Sequence, residues 1–148
     1  MASQKYEKRK DRVVNIQSST DGRGSGDITF IGTGTTVAGK VYTMKQGEEG
    51  GVVWYATDNN ATGYYEGFLA VAMGTNPAVD GMLLNGAVTM FDAIDVAGAS
   101  VYLSPTAGRV VTTRPSQSGE AVRIIGYGIE ENGDCIYFSP DNTFILNA

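Results

Sequence analysis

The sequence predicts an all-β protein, a small barrel or sandwich built from two related β-modules and led by an extended N-terminal arm. The first observation is an internal echo: Val37-Ala38-Gly39-Lys40-Val41-Tyr42 recurs as Val96-Ala97-Gly98-Ala99-Ser100-Val101-Tyr102, with one residue inserted. It continues downstream, where Gly67-Phe68-Leu69-Ala70-Val71 is matched by Ile124-Ile125-Gly126-Tyr127-Gly128, and Gly81-Met82-Leu83-Leu84 by Gly133-Asp134-Cys135-Ile136-Tyr137. The offset is 60 from Val41 to Val101, 59 from Gly67 to Gly126 and 52 from Gly81 to Gly133, as for two copies that differ in their turns. The second is composition: 20 glycines against 4 prolines in 148 residues punctuate short runs of Val, Ile, Thr and Tyr, side chains that suit a half-buried pleated surface. The third is that no window sustains the i, i+3, i+4, i+7 apolar spacing of a helix. Two copies are too few for a solenoid, so the modules, about 36–91 and 95–146, belong to one domain over 27–148.

The elements follow in order. Residues 1–26 are polar, lack hydrophobic periodicity and end in Asp21-Gly22-Arg23-Gly24-Ser25-Gly26, the composition of a flexible joint, so they are expected to form an arm. Residues 27–31 alternate polar and apolar at period two and open the domain. Strands are expected at 40–44 and 52–56 on either side of Gly47-Glu48-Glu49-Gly50-Gly51, at 65–72 after the turn signal Asp58-Asn59-Asn60, and at 82–91 after Thr75-Asn76-Pro77. In the second module, 100–104 and 109–113 flank Pro105-Thr106-Ala107-Gly108, 121–129 and 134–138 flank Asn132-Gly133, and 143–146 follows Pro140-Asp141-Asn142.

Charge separates arm from body. The chain carries net charge −5, with a pI near 4.6, which argues against a nucleic-acid surface on the domain, because phosphate binding needs a concentrated basic patch. Lys5, Lys8, Arg9, Lys10 and Arg12, however, crowd the first twelve residues. No apolar h-region follows them, so they do not read as a signal peptide, and no run approaches the ~18 apolar residues of a membrane-spanning helix. The single Cys135 lies in an apolar run and has no partner for an internal disulfide, so synthesis in a reducing cytoplasm is expected.

Catalytic signatures are weak. Gly34-Thr35-Thr36-Val37-Ala38-Gly39-Lys40 satisfies a Walker A loop up to its last position, but Val41 stands where a Ser or Thr hydroxyl must meet Mg²⁺, and a strand-like run follows where a helix is needed. A turn between strands is the better reading. With no His, the common general base, the usual triads and most zinc sites are removed, and Cys135 has no imidazole to activate it. The carboxylates Asp92 with Asp95, and Glu130, Glu131 with Asp134, lack the order of an EF-hand loop and read as solvated turn residues. No enzyme, cofactor or metal is expected. Trp54, Tyr55, Tyr64 and Tyr65 are candidates for an aromatic contact surface that would stack on sugars, but packing in the core or at a subunit interface is the better reading.

Several segments resemble small β-structured virion proteins of tailed bacteriophages: residues 67–72, 80–86 and 101–108, then Val122-Arg123-Ile124-Ile125-Gly126-Tyr127 and Ile136-Tyr137-Phe138-Ser139-Pro140-Asp141-Asn142-Thr143-Phe144. In that group the module occurs in head decoration proteins and in the terminal parts of fibres. The resemblance spans roughly 27–146 and carries no catalytic residue. What it implies is a structural role: a capsid decoration or cement protein on the virion exterior, synthesised in the host cytoplasm and arranged as a homotrimer. Its partner would be the major capsid protein, reached by the arm through Lys5, Lys8, Arg9, Lys10 and Arg12, with no nucleic acid or membrane involved. The alternative is a host-recognition module at a fibre or tail tip that binds glycans.

Overall fold

A curled antiparallel sheet dominates the computed structural model, which describes residues 20–131 and 133–148. Its strands are β1 (Gly24–Thr29), β2 (Val41–Gln46), β3 (Val52–Ala56), β4 (Leu69–Ala72), β5 (Met82–Thr89), β6 (Ser100–Leu103), β7 (Val110–Val111), β8 (Ala121–Val122), β9 (Ile124–Gly128), β10 (Cys135–Phe138) and β11 (Ile145–Leu146). One short helix, α1 (Pro77–Asp80), is capped by the Asn76 side chain, which accepts from the Ala78 amide. Eight strands follow the order β3-β2-β4-β5-β10-β9-β6-β7 in a strongly curled half-barrel, while β8 and β11 make a separate two-stranded ribbon. The all-β expectation is met.

The echo in the sequence is visible in this order, because β3-β2-β4-β5 and β7-β6-β9-β10 are the same connectivity read from the two ends of the sheet. Each module opens on the same device. The Gly39 amide donates to the Ala72 carbonyl and the Ala72 amide to Lys40, while the Gly98 amide donates to Gly128 and the Gly128 amide to Ala99. Gly39 and Gly98 have φ of 82° and 84°, the left-handed conformation that a glycine bulge requires at its first position. The β6–β9 pairing also carries a register shift between Val101 and Tyr102, where the partner passes from Gly126 to Ile124 and β9 bulges at Ile125.

β5 joins the halves. It pairs with β4 at Met82 and Leu83, with β10 from Gly86 to Thr89, and with β1 along nearly its whole length. That pairing corrects the expected arm boundary, since Gly24 and Gly26 belong to a strand and not to a flexible joint. The glycines serve close approach: a Cβ on Gly26 would lie 2.1 Å from the Asn85 carbonyl oxygen, and one on Gly86 2.2 Å from that of Ser25. Other expected strands are shorter than their apolar runs. The first half of 65–72 and most of 109–113 are loop, and 121–129 breaks at Arg123 into β8 and β9.

The main core lies between the two modules. Val41, Leu69, Val71, Leu83, Val88 and Met90 from the first meet Val101, Leu103, Ile125, Ile136 and Phe138 from the second. Each such side chain, fully removed from water, stabilises the fold by about 1.5–3 kcal/mol. Opposite the β5 joint, loops close the curl: the Val41 amide donates to Gly108, the Gly108 amide to Thr57 and the Asn59 amide to Ser104. A second core, Tyr42, Trp54, Ala70, Ala72 and Met82, fills the outer face of the first module. An extended segment after β1 straps it down: Trp54 Nε1 donates to the Ile31 carbonyl at 2.9 Å, and Thr33 forms a parallel bridge to Val53 on β3.

Candidate functional site

The residues singled out by sequence separate into three groups. Lys5, Lys8, Arg9, Lys10 and Arg12 lie outside the described residues. Of the aromatic set, Trp54 and Tyr65 are corrected to core positions, 3% and 5% exposed, and do not present a contact surface. Trp54 sits beneath the strap, and Tyr65 packs edge-on against Phe144 at 5.1 Å between ring centres. Tyr55 and Tyr64 are half-buried and face each other edge-on at 6.1 Å, with Lys45 Nζ over the Tyr64 ring and bonded to the Gly63 carbonyl. Those four aromatics therefore do not form one platform.

The phosphate-loop mimic behaves as the residues suggested. Gly34 to Lys40 leads into strand β2, and Lys40 Nζ lies 4.6 Å from the centre of the Phe91 ring. The guanidinium of Arg109 lies 4.8 Å from the same ring and bonds Asp92, whose other oxygen accepts from the Val110 amide. This cluster ties the opening of the first module, the inter-module segment and β7 together. It is a seam of the scaffold.

Buried polar side chains are likewise committed to backbone. Arg123, 4% exposed, donates Nε to the Asp141 carbonyl at 2.7 Å and its two terminal nitrogens to Tyr65 and Gly67 at 3.0 and 3.1 Å. Burial lowers its pKa, and the Asp141 charge opposes that shift. Asn59, fully buried, donates Nδ2 to the Leu103 carbonyl. Cys135 is buried, and burial, reinforced by the Glu130 charge, pushes its thiol up to about 11, so it stays protonated and inert near neutrality. Among the described residues, no group of three or more Asp, Glu or Cys side chains is arranged to hold a metal ion.

The surface feature that sequence reading missed is the outer face of the β9–β10 hairpin. Tyr127 and Tyr137 stand directly opposite each other on the two strands, 46% and 40% exposed, and the Tyr137 hydroxyl donates to Asn85 Oδ1. The half-buried Tyr102, Ile124 and Val111 extend this face across β6 and β7. The signal was present in Ile124-Ile125-Gly126-Tyr127-Gly128, where period two sets Tyr127 opposite its glycine neighbours. At the end of the hairpin Asp134 meets the charges of Asp21, Asp95 and Glu130, and partial burial together with these like charges raises its pKa. Glu130 also caps the turn by accepting from the Asp134 and Cys135 amides.

No protein-family model and no curated protein matches the sequence. No helix among the described residues is long and apolar enough to cross a membrane.

Proposed function

We propose that this chain is a structural virion protein, a capsid decoration protein that attaches to the assembled phage head and stabilises it. The observation that carries the reading is the use made of polar side chains inside a duplicated β-scaffold. Arg123, Asn59, Asp92 and Arg109 are spent on holding loops and strands together, the work of a rigid spacer. The resemblance of residues 27–146 to phage virion β-modules supports the same class of role, and the basic N-terminal run supplies an anchor of opposite charge to the acidic body. A protein that binds only the assembled shell adds RT ln(1 + [L]/Kd) of stability, about 2.7 kcal/mol per site at a hundredfold excess over Kd.

The test is co-sedimentation with shells of the cognate major capsid protein. Saturable binding to assembled shells, with a rise in their disruption temperature and no binding to free subunits, is the expected result. Binding to host surface glycans without binding to shells would favour the tail-tip alternative and overturn the proposal.

A further inference from the structure

The outer face of the β9–β10 hairpin belongs to a wider surface that crosses the joint between the modules. One row of side chains runs Ser100, Tyr127, Tyr137, Ala87 and Ser25, from β6 through β9, β10 and β5 to β1. The row beside it sets Asp27 of β1 opposite Asn85 of β5, with Ser139 at the end of β10 next to Asn85. The strap that buries Trp54 on the first module has no counterpart over these rows among the described residues.

We propose that this face is a saccharide-binding platform, on which Tyr127 and Tyr137 stack against the pyranose rings of a neutral glycan while Asn85, Ser139 and Asp27 bind its hydroxyls.

Area, charge and hydrogen-bonding capacity select this ligand. An aromatic side chain offers about 150–250 Å², so at 46% and 40% exposure the two rings together present roughly 130–215 Å². A stable protein partner needs about 800 Å² on each side, so the rings are too small an anchor for one and suit a ligand of sugar size. The two rows contain no Lys or Arg, and Asp27 is their one charged side chain, while Asp21, Asp95, Glu130 and Asp134 gather at the end of the hairpin. An acidic glycan or a phosphate meets repulsion there, and a neutral sugar does not.

The polar groups are held ready. The Tyr137 hydroxyl donates to Asn85 Oδ1 at 3.1 Å, and Asn85 Nδ2 donates to Ser139 Oγ at 3.4 Å, which fixes both the ring and the amide. A primary amide has two N–H donors and two oxygen lone pairs, so after these bonds Asn85 keeps one of each for a sugar hydroxyl, and the Asp27 carboxylate adds acceptors. Tyrosine rings lose little rotamer freedom on binding, and their electron-rich faces attract the weakly positive C–H groups of a pyranose. This inference is independent of the capsid reading: glycan binding alongside shell binding leaves both standing, and the failure of either does not decide the other.

The experiment applies the whole chain to an array of neutral hexose and N-acetylhexosamine oligosaccharides beside sialylated and sulfated ones, followed by calorimetric titration with the strongest neutral binder. Binding to a neutral oligosaccharide is expected, weakened about tenfold in Tyr127→Ala and in Tyr137→Ala, less in Tyr137→Phe, and unchanged in Tyr55→Ala, whose ring lies on the first module. Should the alanine variants fail to fold, amide chemical shifts of the unaltered ¹⁵N-labelled chain give the second readout, with the largest changes on titration expected at 85–87, 126–128 and 137–139. Binding to no array member, binding confined to acidic glycans, binding unchanged in both alanine variants, or shift changes confined to other residues would each overturn the proposal.

Discussion

Replacing Arg123 by methionine keeps most of the volume of the side chain and removes all of its hydrogen bonds. Three carbonyls, at Tyr65, Gly67 and Asp141, lose a charged donor, the first in a buried hydrogen bond and the other two in part-buried ones. A hydrogen bond from a charged group contributes about 1.5–3 kcal/mol. The three together are offset by the cost of burying the guanidinium, so the net loss is about 3 kcal/mol. For a chain of this size each kcal/mol moves the melting temperature by about 2–4 °C, giving a fall of about 6–12 °C.

Thermal unfolding followed by circular dichroism measures it. The near-ultraviolet signal should change before global melting, because the loop at Asp141 positions Phe144 against Tyr65. Arg123→Lys, which can reach one carbonyl, should recover a minor part of the loss. A shift below about 2 °C for the methionine variant would refute the reasoning, since it would mean that the three carbonyls are satisfied without Arg123.

Further outcomes follow from the same geometry. Gly86→Ala should displace β1 from β5 and cost about 3 kcal/mol or more, read as lost amide protection from Gly24 to Thr29, because the new Cβ would meet the Ser25 carbonyl at 2.2 Å. Phe91→Ala should cost about 1–2 kcal/mol by urea unfolding through loss of the contacts to Lys40 and Arg109 that tie the modules. Asp134 has a folded pKa raised above its unfolded value, so its ionisation penalises the folded state fully above the raised pKa, and the penalty is relieved as pH falls toward the unfolded value. Asp134→Asn should therefore raise the melting temperature at pH 7 and flatten its dependence between those two pKa values. Cys135 should resist thiol reagents at pH 8 until the protein is unfolded, because burial holds its pKa near 11.

The architecture was legible in the sequence to the extent that repetition and period-two runs report it. The pair Gly39 and Gly98 marked equivalent bulges, while the residue inserted before Val101 did not mark the irregularity at Ile125 on the neighbouring strand β9. The boundary at Gly24 was not legible, because glycine in a joint and glycine in a tightly approached strand have the same composition; only the partner Gly86, some sixty residues away, distinguishes them. Arg123 was passed over as one charge in an apolar run. Its isolation between Val122 and Ile124 was the available sign that the run breaks to let a side chain collect carbonyls from distant loops. For Trp54 and Tyr65 packing was the better reading but a contact surface stayed open, because local pattern does not show the strap that covers one or the Phe144 ring that meets the other. Tyr127 and Tyr137 are the reverse case, exposed by an alternation that could be read but became a continuous face only when β9 paired with β10.

The central claim is placement on the assembled head, and a cryo-electron microscopy map of the virion tests it most directly. The account predicts density for the two-module body on the outside of the capsid, repeated over the lattice at local threefold positions and contacting the major capsid protein. Density for this chain confined to the tail tip or a fibre end, or its absence from the particle, would contradict it.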